Sequence, residues 1–297
     1  PDTMRCSSAA SGAMSPFPTV WRCGSAAITC ARARPPTRSR SLSCSSRPPR
    51  AKLPTLKLTL AYDGTRYAGW QRQRRAAGPT IQGVLEDVLA RILQERVRAV
   101  ASGRTDAGVH AQAQVVHVRT RRAIEPARLV RSLNALLPAD VAVSRLEPAN
   151  GAFHARFDAR RKRYRYRIVT QPVVSPFIRR YVYQMPHRLD VGLMRREAKA
   201  LVGRHDVRAF ARGHVRGSAR RLLSDVRVVR RDGELQIELE GSGFLHTMVR
   251  SIVGTLLDVG RGHRPPGTIR RMLRTGDRRL AGPTVPAKGL TLVSVAY

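Results

Sequence analysis

Hydrophobic residues from position 53 onward follow two different periods. Leu56, Leu58 and Leu60 alternate with their neighbours, which predicts a half-buried strand, and residues 81–93 carry apolar side chains at helical spacing after Pro79-Thr80. The same reasoning predicts a strand over 115–118, a helix over 129–137 that stops at Pro138, and a strand that begins at Val141. This order of strands and helices is the ferredoxin-like pattern, with helices on one face of a mostly antiparallel sheet.

The second half of the chain repeats this organisation loosely. Tyr164, Tyr166 and Ile168 share one face of a predicted strand, and three arginines at 163, 165 and 167 share the other. Further predicted elements are a helix over 189–202 ended by Gly203, a hairpin around Asp232-Gly233, an apolar helix from Phe244 to Leu257 capped by Gly260, and a strand over 290–295. We therefore expect an α+β fold of two ferredoxin-like (RRM-like) halves, 53–160 and 161–297, sharing a mostly antiparallel central sheet with an active-site cleft between them.

Residues 1–52 differ from the rest in composition. The segment is rich in arginine, serine and proline and contains one acidic residue, Asp2. No strand or helix period is sustained, so we predict that it is disordered, because it cannot bury enough apolar surface to offset its ordering entropy. Three interpretations stay open: sequence upstream of a wrongly assigned start, an organelle transit peptide, or an RNA-binding arm. We favour the first, and we expect a cytoplasmic protein unless the segment is a genuine transit peptide.

The net charge indicates the class of binding partner. With 55 Lys+Arg against 20 Asp+Glu, the formal charge of the 297 residues is +35, which favours a polyanion such as a nucleic acid. A lipid surface is disfavoured, because the charge is spread along the chain and not concentrated on one amphipathic helix. We expect no membrane span, since no apolar run is long enough, and no structural metal, since the histidines are scattered and all four cysteines precede residue 50.

One loop carries the strongest candidate chemistry. The run from Gly103 to Ala111, GRTDAGVHA, places Asp106 between two glycines and two residues after Arg104, with apolar strands predicted on both sides. Loops on a rigid sheet commonly carry catalytic groups, and Gly103 and Gly108 can adopt backbone angles that are closed to other residues. A solvated aspartate turn with a nearby arginine is the ordinary alternative, and the residue pattern alone does not exclude it.

Five ordered segments resemble the TruA family of tRNA pseudouridine synthases. The loop around Asp106 is the first of them. The others are Tyr62-Asp63-Gly64 with Tyr67 and GWQRQ over 69–73, FHARF over 153–157 followed by RYRY over 163–166, GFLH over 243–246 with MVR over 248–250, and Gly289-Leu290 with Leu292-Val293. The resemblance covers roughly residues 56–297. It implies an enzyme that isomerises uridine to pseudouridine at positions 38, 39 and 40 of the tRNA anticodon stem-loop, as a homodimer and without a cofactor.

The resemblance also implies a role for particular residues. Asp106 would be the catalytic nucleophile, Arg250 its ion-pair partner, Tyr164 an active-site ring beside the target uracil, and Leu290 the apolar residue that closes the base pocket. Arg104 would fill the space of an extruded uridine or, in the rival interpretation, form a second salt bridge to Asp106. The candidate phosphate contacts are Arg72, Arg156, Arg163, Arg165 and Arg167, a claim about the set rather than its members.

Two other functions compete with this hypothesis. A non-catalytic RNA-binding or RNA-folding protein could use the same fold, but it would have no use for an acid that faces RNA phosphates, so the combination of Asp106, Tyr164 and Arg250 argues against it. A related synthase that acts on another RNA is the second alternative, because motifs near an active site do not determine the target. The pattern of residues does not say whether Asp106 attacks the sugar or the base.

Overall fold

A computed structural model of the protein describes residues 53–73, 78–215 and 217–297. The prediction of a disordered N-terminal segment over 1–52 therefore lies outside the described residues. Residues 51–297 cluster as a single unit.

The described part of the chain forms ten strands and five helices. The strands are β1 (Thr55–Tyr62), β2 (Val100–Ala101), β3 (His110–Arg119), β4 (Val141–Ala149), β5 (Arg161–Val169), β6 (Tyr183–Gln184), β7 (Gly203–Asp206), β8 (Arg220–Arg231), β9 (Glu234–Gly241) and β10 (Leu290–Ala296). The helices are α1 (Ile81–Leu93), α2 (Pro126–Leu136), α3 (Val191–Lys199), α4 (Met248–Gly260) and α5 (Thr268–Thr275). The expected mixed fold with a large, mostly antiparallel sheet is confirmed.

All ten strands belong to one sheet. Its main order is β4-β1-β3-β10-β5-β9-β8-β7, with β2 paired to β3 and β6 paired to β5. Strand β10 runs parallel to β3 and antiparallel to β5, so the last strand along the chain lies between strands that precede residue 120 and strands that follow residue 160. Backbone hydrogen bonds thereby continue from one half of the sheet to the other.

Local sequence signals explain where several elements begin. The Thr80 hydroxyl accepts a hydrogen bond from the Gly83 amide at 3.2 Å, which caps α1 at the predicted position. Helix α2 starts earlier than predicted, because Pro126 occupies its first turn and the Glu125 carboxylate accepts from two amides there. The predicted hairpin is confirmed, with β8 and β9 joined at Asp232-Gly233.

Two predicted helices are shorter than expected. Helix α3 begins after Asp190, which caps it, and ends at Lys199, because the amides of Leu201 and Val202 bond three residues back instead of four. Helix α4 begins only at Met248, since Thr247 adopts a left-handed conformation with φ 58° and separates the preceding residues from the helix. The prediction that Gly260 caps α4 is wrong, because Gly260 is the last helical residue.

The hydrophobic core lies between the sheet and the helices. Helices α1 and α2 contact each other and α2 contacts β4, whereas α3 contacts α4, α5 and β8. No helix in the described ranges is long and apolar enough to cross a membrane. Within the same ranges, no group of three or more His, Cys, Asp or Glu side chains is placed to hold a metal ion.

Helix α4 packs directly against a neighbouring backbone segment. A Cβ at Gly254 would lie 1.8 Å from the Pro283 carbonyl oxygen, far inside van der Waals contact. We therefore expect Gly254→Ala to lower the free energy of unfolding by about 2 kcal/mol or more, since overpacking against rigid backbone is costly. Urea unfolding would measure the change. Gly78→Ala is the control, because a Cβ there meets no atom of the described residues within 4 Å. Equal effects of the two variants would contradict the packing argument.

Candidate active site

The loop that carries Asp106 spans residues 102–109 between β2 and β3. Gly108 has φ 78°, the left-handed conformation expected of a glycine that shapes a loop. The same expectation for Gly103 is wrong, since Gly103 is not among the residues with positive φ. The amide of Val109 donates to the Asp106 carbonyl at 3.1 Å, so a tight turn follows directly after the carboxylate-bearing residue.

Asp106 forms an ion pair with Arg250. Arg250 Nη1 lies 3.0 Å from Asp106 Oδ2, and the two side chains are 18% and 24% exposed. Arg250 Nε also donates to the Val285 carbonyl at 2.8 Å, which fixes the orientation of the guanidinium group. The sequence-based prediction of this ion pair is confirmed. It holds the carboxylate in a single geometry while leaving part of it accessible.

A buried hydrogen-bond network supports the loop from below. Gln114 on β3 is fully buried; its amide donates to the Gly103 carbonyl at 2.8 Å, and its oxygen accepts from the Ser102 hydroxyl at 2.7 Å. The Tyr62 hydroxyl lies 2.9 Å from the Thr105 hydroxyl, next to Asp106 in sequence, and burial raises the pKa of Tyr62 to about 12. Sequence reasoning missed Gln114, although a glutamine in an apolar strand was a visible signal.

Tyr164 lies beside the ion pair on β5. Its ring is 7% exposed and meets the ring of Phe244 edge-on, with centroids 5.0 Å apart at 82°. Burial, and then the nearby Tyr62 and Asp106, raise the pKa of the Tyr164 hydroxyl well above its usual range, so the group stays protonated at neutral pH. Among the residues that the structure describes, this hydroxyl has no hydrogen-bond partner.

Leu290 is the first residue of β10, the strand that pairs with β5. It is 5% exposed and opposite Tyr166 in the strand register, while Leu292 is opposite Tyr164. The turn before Leu290 contacts the start of β3, where His110 Nε2 lies 3.1 Å from the Lys288 carbonyl oxygen. The site is thus assembled from a loop, a helix and two adjacent strands.

Comparison with known proteins identifies the family of this chain. A family model described as tRNA pseudouridine synthase matches residues 59–158 and 198–297, which include Asp106, Arg250 and Leu290. The chain belongs to the tRNA pseudouridine synthase family. Members of this family are isomerases that convert uridine to pseudouridine in tRNA.

Individual relatives agree with the family model. Proteins named tRNA pseudouridine synthase A from Moorella thermoacetica, Bacillus subtilis and Thermus thermophilus are each 44% identical to the chain over 246 residues. Each alignment covers 82% of this chain and 100%, 98% and 96% of the respective relative. Among solved structures, a chain of a Cbf5-Nop10-Gar1 complex aligns at 18% sequence identity with a TM-score of 0.31. The alignment covers 68% of the present chain and 45% of the chain in that complex. This similarity is too low to support any argument.

His246 is a site residue to which the sequence analysis gave no role. Its Nε2 lies 3.6 Å from Asp106 Oδ1, on the side of the carboxylate away from Arg250, and the side chain is 64% exposed. His246 precedes Arg250 by four residues within the family segments, and that spacing was the available signal.

Arg104 is exposed and makes no ion pair with any residue that the structure describes. The structure therefore shows no salt bridge between Arg104 and Asp106, which was the alternative prediction for Arg104. The observed partners of Asp106 in the described chain are Arg250 and His246.

The arginines of β5 form ion pairs with carboxylates of the neighbouring strand. Each lies across the strand pair from a glutamate of β9, at distances of 2.7 Å for Arg163–Glu240, 2.7 Å for Arg165–Glu238 and 2.6 Å for Arg167–Glu234. Arg72 Nη1 lies 3.0 Å from Asp87. Arg156 differs, because its guanidinium group lies over the ring of the exposed Phe157 and faces no carboxylate among the described residues.

The two glycines that frame Asp106 allow a matched test of the loop. Gly108→Ala is expected to cost about 1 kcal/mol of stability, since alanine is strained at φ 78°. Gly103→Ala is expected to change stability by less than about 0.5 kcal/mol, because its Cβ would lie no closer than 3.4 Å to any atom and its φ is not positive. Thermal unfolding of both variants measures the difference, and a larger cost at Gly103 would contradict the loop geometry.

Proposed function

We propose that this protein isomerises uridine to pseudouridine at positions 38, 39 and 40 of the tRNA anticodon stem-loop, with Asp106 as the catalytic nucleophile. Membership of the tRNA pseudouridine synthase family supports the reaction class, and the ion pair between Asp106 and Arg250 is the single observation that supports the assignment of the nucleophile. The positions in tRNA and the individual residue roles go beyond what family membership establishes.

The reaction breaks one bond and forms another without a change in oxidation state. The N1–C1′ bond of uridine breaks, the detached uracil turns, and C5 bonds to C1′, while C5 loses its proton and N1 gains one. The bond that Asp106 forms as nucleophile is broken again before the product leaves. A carboxylate suits this chemistry, because it is ionised at neutral pH from a reference pKa of about 3.9 and needs no further activation to act as a nucleophile. Arg250 holds Asp106 in one orientation, which reaction at a single carbon requires.

Tyr164 is proposed to contact the detached uracil. Its ring offers an apolar surface and packs against Phe244. Its protonated hydroxyl has no hydrogen-bond partner among the described residues and is available to hydrogen-bond the uracil. Leu290 is proposed to close the opposite side of the base pocket. This is supported by its position on β10, the strand that pairs with the strand of Tyr164.

Arg104 is proposed to occupy the space that an extruded uridine leaves in the RNA. The target base of a stem is stacked and paired, so it must leave the helix before reaction. An exposed arginine two residues from the nucleophile, free of carboxylate partners in the described chain, is suited to this role.

Arg72, Arg156 and Arg165 are the proposed phosphate contacts of the tRNA. Of these, Arg156 faces no described carboxylate, whereas a phosphate at Arg72 or Arg165 has to compete with Asp87 or Glu238.

The proposal extends to the architecture of the working enzyme. Two ferredoxin-like halves, 53–160 and 161–297, would share the central sheet and form the active-site cleft, and two copies would form a homodimer. The strand order supports this division, since β4, β1 and β3 lie on one side of β10 and β5, β9, β8 and β7 lie on the other. Sedimentation equilibrium of the purified protein tests the dimer, which would give twice the 32.9 kDa mass of one chain.

Asp106→Asn is expected to abolish turnover while leaving the fold and tRNA binding intact. The substitution keeps the shape of the side chain but removes its charge and nucleophilicity. Release of tritium from C5-labelled uridine in a tRNA transcript measures turnover, and mapping of the product measures the modified positions. Asp232→Asn is the matched control, because it makes the same charge change at a hairpin turn whose left-handed conformation asparagine tolerates. Tritium release by Asp106→Asn above a trace of the wild-type rate would exclude the nucleophile assignment.

Arg104→Ala is expected to separate binding from chemistry. Affinity for tRNA should stay nearly constant, because most affinity arises from distributed phosphate contacts, while turnover should fall because extrusion costs a few kcal/mol. The loss should be smaller on a transcript whose target uridine is mismatched, where extrusion is easier.

The control for this variant is Arg131→Ala, which removes the same charge from an exposed position on α2. Single-turnover rates on paired and mismatched transcripts are the measurement. Equal losses on the two transcripts would reject the role in base extrusion.

A further inference from the structure

Three cations lie together beside the loop of Asp106. We call Arg156, Lys162 and Arg221 the basic cluster. Lys162 is on the same face of β5 as Tyr164, two residues before it, and its Nζ donates to the Ser102 carbonyl at 2.6 Å. A Cβ built on Gly103 would lie 3.4 Å from that Nζ, so the ammonium group lies directly against the start of the catalytic loop.

Arg221 is brought towards Lys162 by the strand register, because Lys162 is opposite Gly241 of β9, Gly241 is opposite Leu223 of β8, and Arg221 lies two residues before Leu223. Burial, and then the positive charges of Arg156 and Arg221, lower the pKa of Lys162 to about 8. Arg221 lies against a second active-site segment, since a Cβ at Gly243 would be 3.8 Å from its side chain, and Gly243 precedes Phe244. The basic cluster therefore borders both the loop of Asp106 and the segment that leads to His246 and Arg250.

No carboxylate compensates the basic cluster within the described chain. Lys162 and Arg221 donate to backbone carbonyls, Lys162 to Ser102 and Arg221 to Ser218 and Arg220, and Arg156 lies over Phe157. The opposite face of β5 contrasts with this arrangement, because each arginine there lies within 3.4 Å of a glutamate of β9. The same strand thus has one neutralised face and one face with uncompensated positive charge at the edge of the active site.

Positive charges that lie close together repel one another and raise the free energy of the protein, and a bound anion between them offsets this repulsion. We propose that the basic cluster binds the phosphodiester backbone of the substrate strand next to the target nucleotide, with Lys162 and Arg221 as contacts additional to Arg156. This proposal rests on the proposed function, because it assumes an RNA whose target base reaches Asp106. Arg156 and Arg221 are the members of the basic cluster to substitute, because Lys162 supports the loop of Asp106 through the Ser102 carbonyl. The carbonyls that Arg221 contacts belong to residues 218 and 220, which are its near neighbours in the chain.

The test is the salt dependence of binding to a tRNA transcript, measured by fluorescence anisotropy from 0.1 to 1 M salt. The double variant Arg156→Gln/Arg221→Gln should lower the slope of log K against log salt by about 1.4–1.8, which is two contacts at about 0.7–0.9 each. This corresponds to a loss of affinity of roughly 25- to 60-fold at 0.1 M salt relative to 1 M. Circular dichroism melting of each variant shows whether it is folded.

The matched control is Arg161→Gln/Arg227→Gln, which also removes two positive charges from exposed side chains. Both arginines are paired with carboxylates, at 3.4 Å to Glu240 and 2.7 Å to Asp225. The slope of the control should equal that of the wild type, whereas equal decreases in the two double variants would show a general charge effect and overturn the proposal.

Two further outcomes separate this proposal from the proposed function. If the wild type releases tritium from tRNA but the cluster variant binds with an unchanged slope, the proposed function stands and the cluster assignment is wrong. In the second outcome, the wild type releases no tritium, and the slope of log K against log salt decreases in the cluster variant but not in the control variant. The basic cluster then binds RNA and the proposed function is wrong. Lys162→Arg, which keeps the charge, is expected to retain the wild-type slope, and a decrease like that of the double variant would also count against phosphate binding.

Discussion

The ion pair between Asp106 and Arg250 is the interaction on which the organisation of the site depends. It joins a loop between β2 and β3 to the first turn of α4, across 144 residues of sequence. Neither side chain is fully buried, so the pair is a partly desolvated, charge-assisted hydrogen bond. Because Arg250 is itself held by the Val285 carbonyl, the position of the carboxylate is determined by the helix and not by the loop alone.

The surrounding groups divide into those that position Asp106 and those that remain free. Gln114, Tyr62 and Thr105 use their hydrogen-bonding capacity inside the protein, which makes the loop rigid. The hydroxyl of Tyr164 makes no hydrogen bond within the described chain, and His246, which lies 3.6 Å from Asp106, is 64% exposed. A rigid support beneath accessible groups is the arrangement that preorganised catalysis requires.

Sequence alone predicted the elements whose signals are local. The bounds of α1, the hairpin at Asp232-Gly233 and the alternating faces of β5 follow from capping, turn chemistry and period, and the structure agrees with them. The pairing of Asp106 with Arg250 could be predicted only through the family resemblance, because no local pattern connects residues so far apart.

Other features depend on tertiary contacts that no periodicity encodes. Phe244 fits the apolar period of α4, yet it lies outside that helix and packs on Tyr164, since Thr247 interrupts the helical backbone. The pairing of the β5 arginines with β9 glutamates depends on a register that is fixed only when the two strands meet. Strand register and side-chain packing, more than composition, determine which charges are neutralised.

The position of β10 has a consequence for how the protein is made. Apart from the short pairings with β2 and β6, one edge of β3 and one edge of β5 stay unpaired until residues 290–296 enter between them, and unpaired edges favour pairing with other chains. Strand β10 follows all the other described strands in the sequence, so it is translated after them, and only then can Leu290 pair opposite Tyr166. Asp106 is therefore translated long before Leu290, and until β10 joins the sheet the free edges of β3 and β5 can pair with other chains.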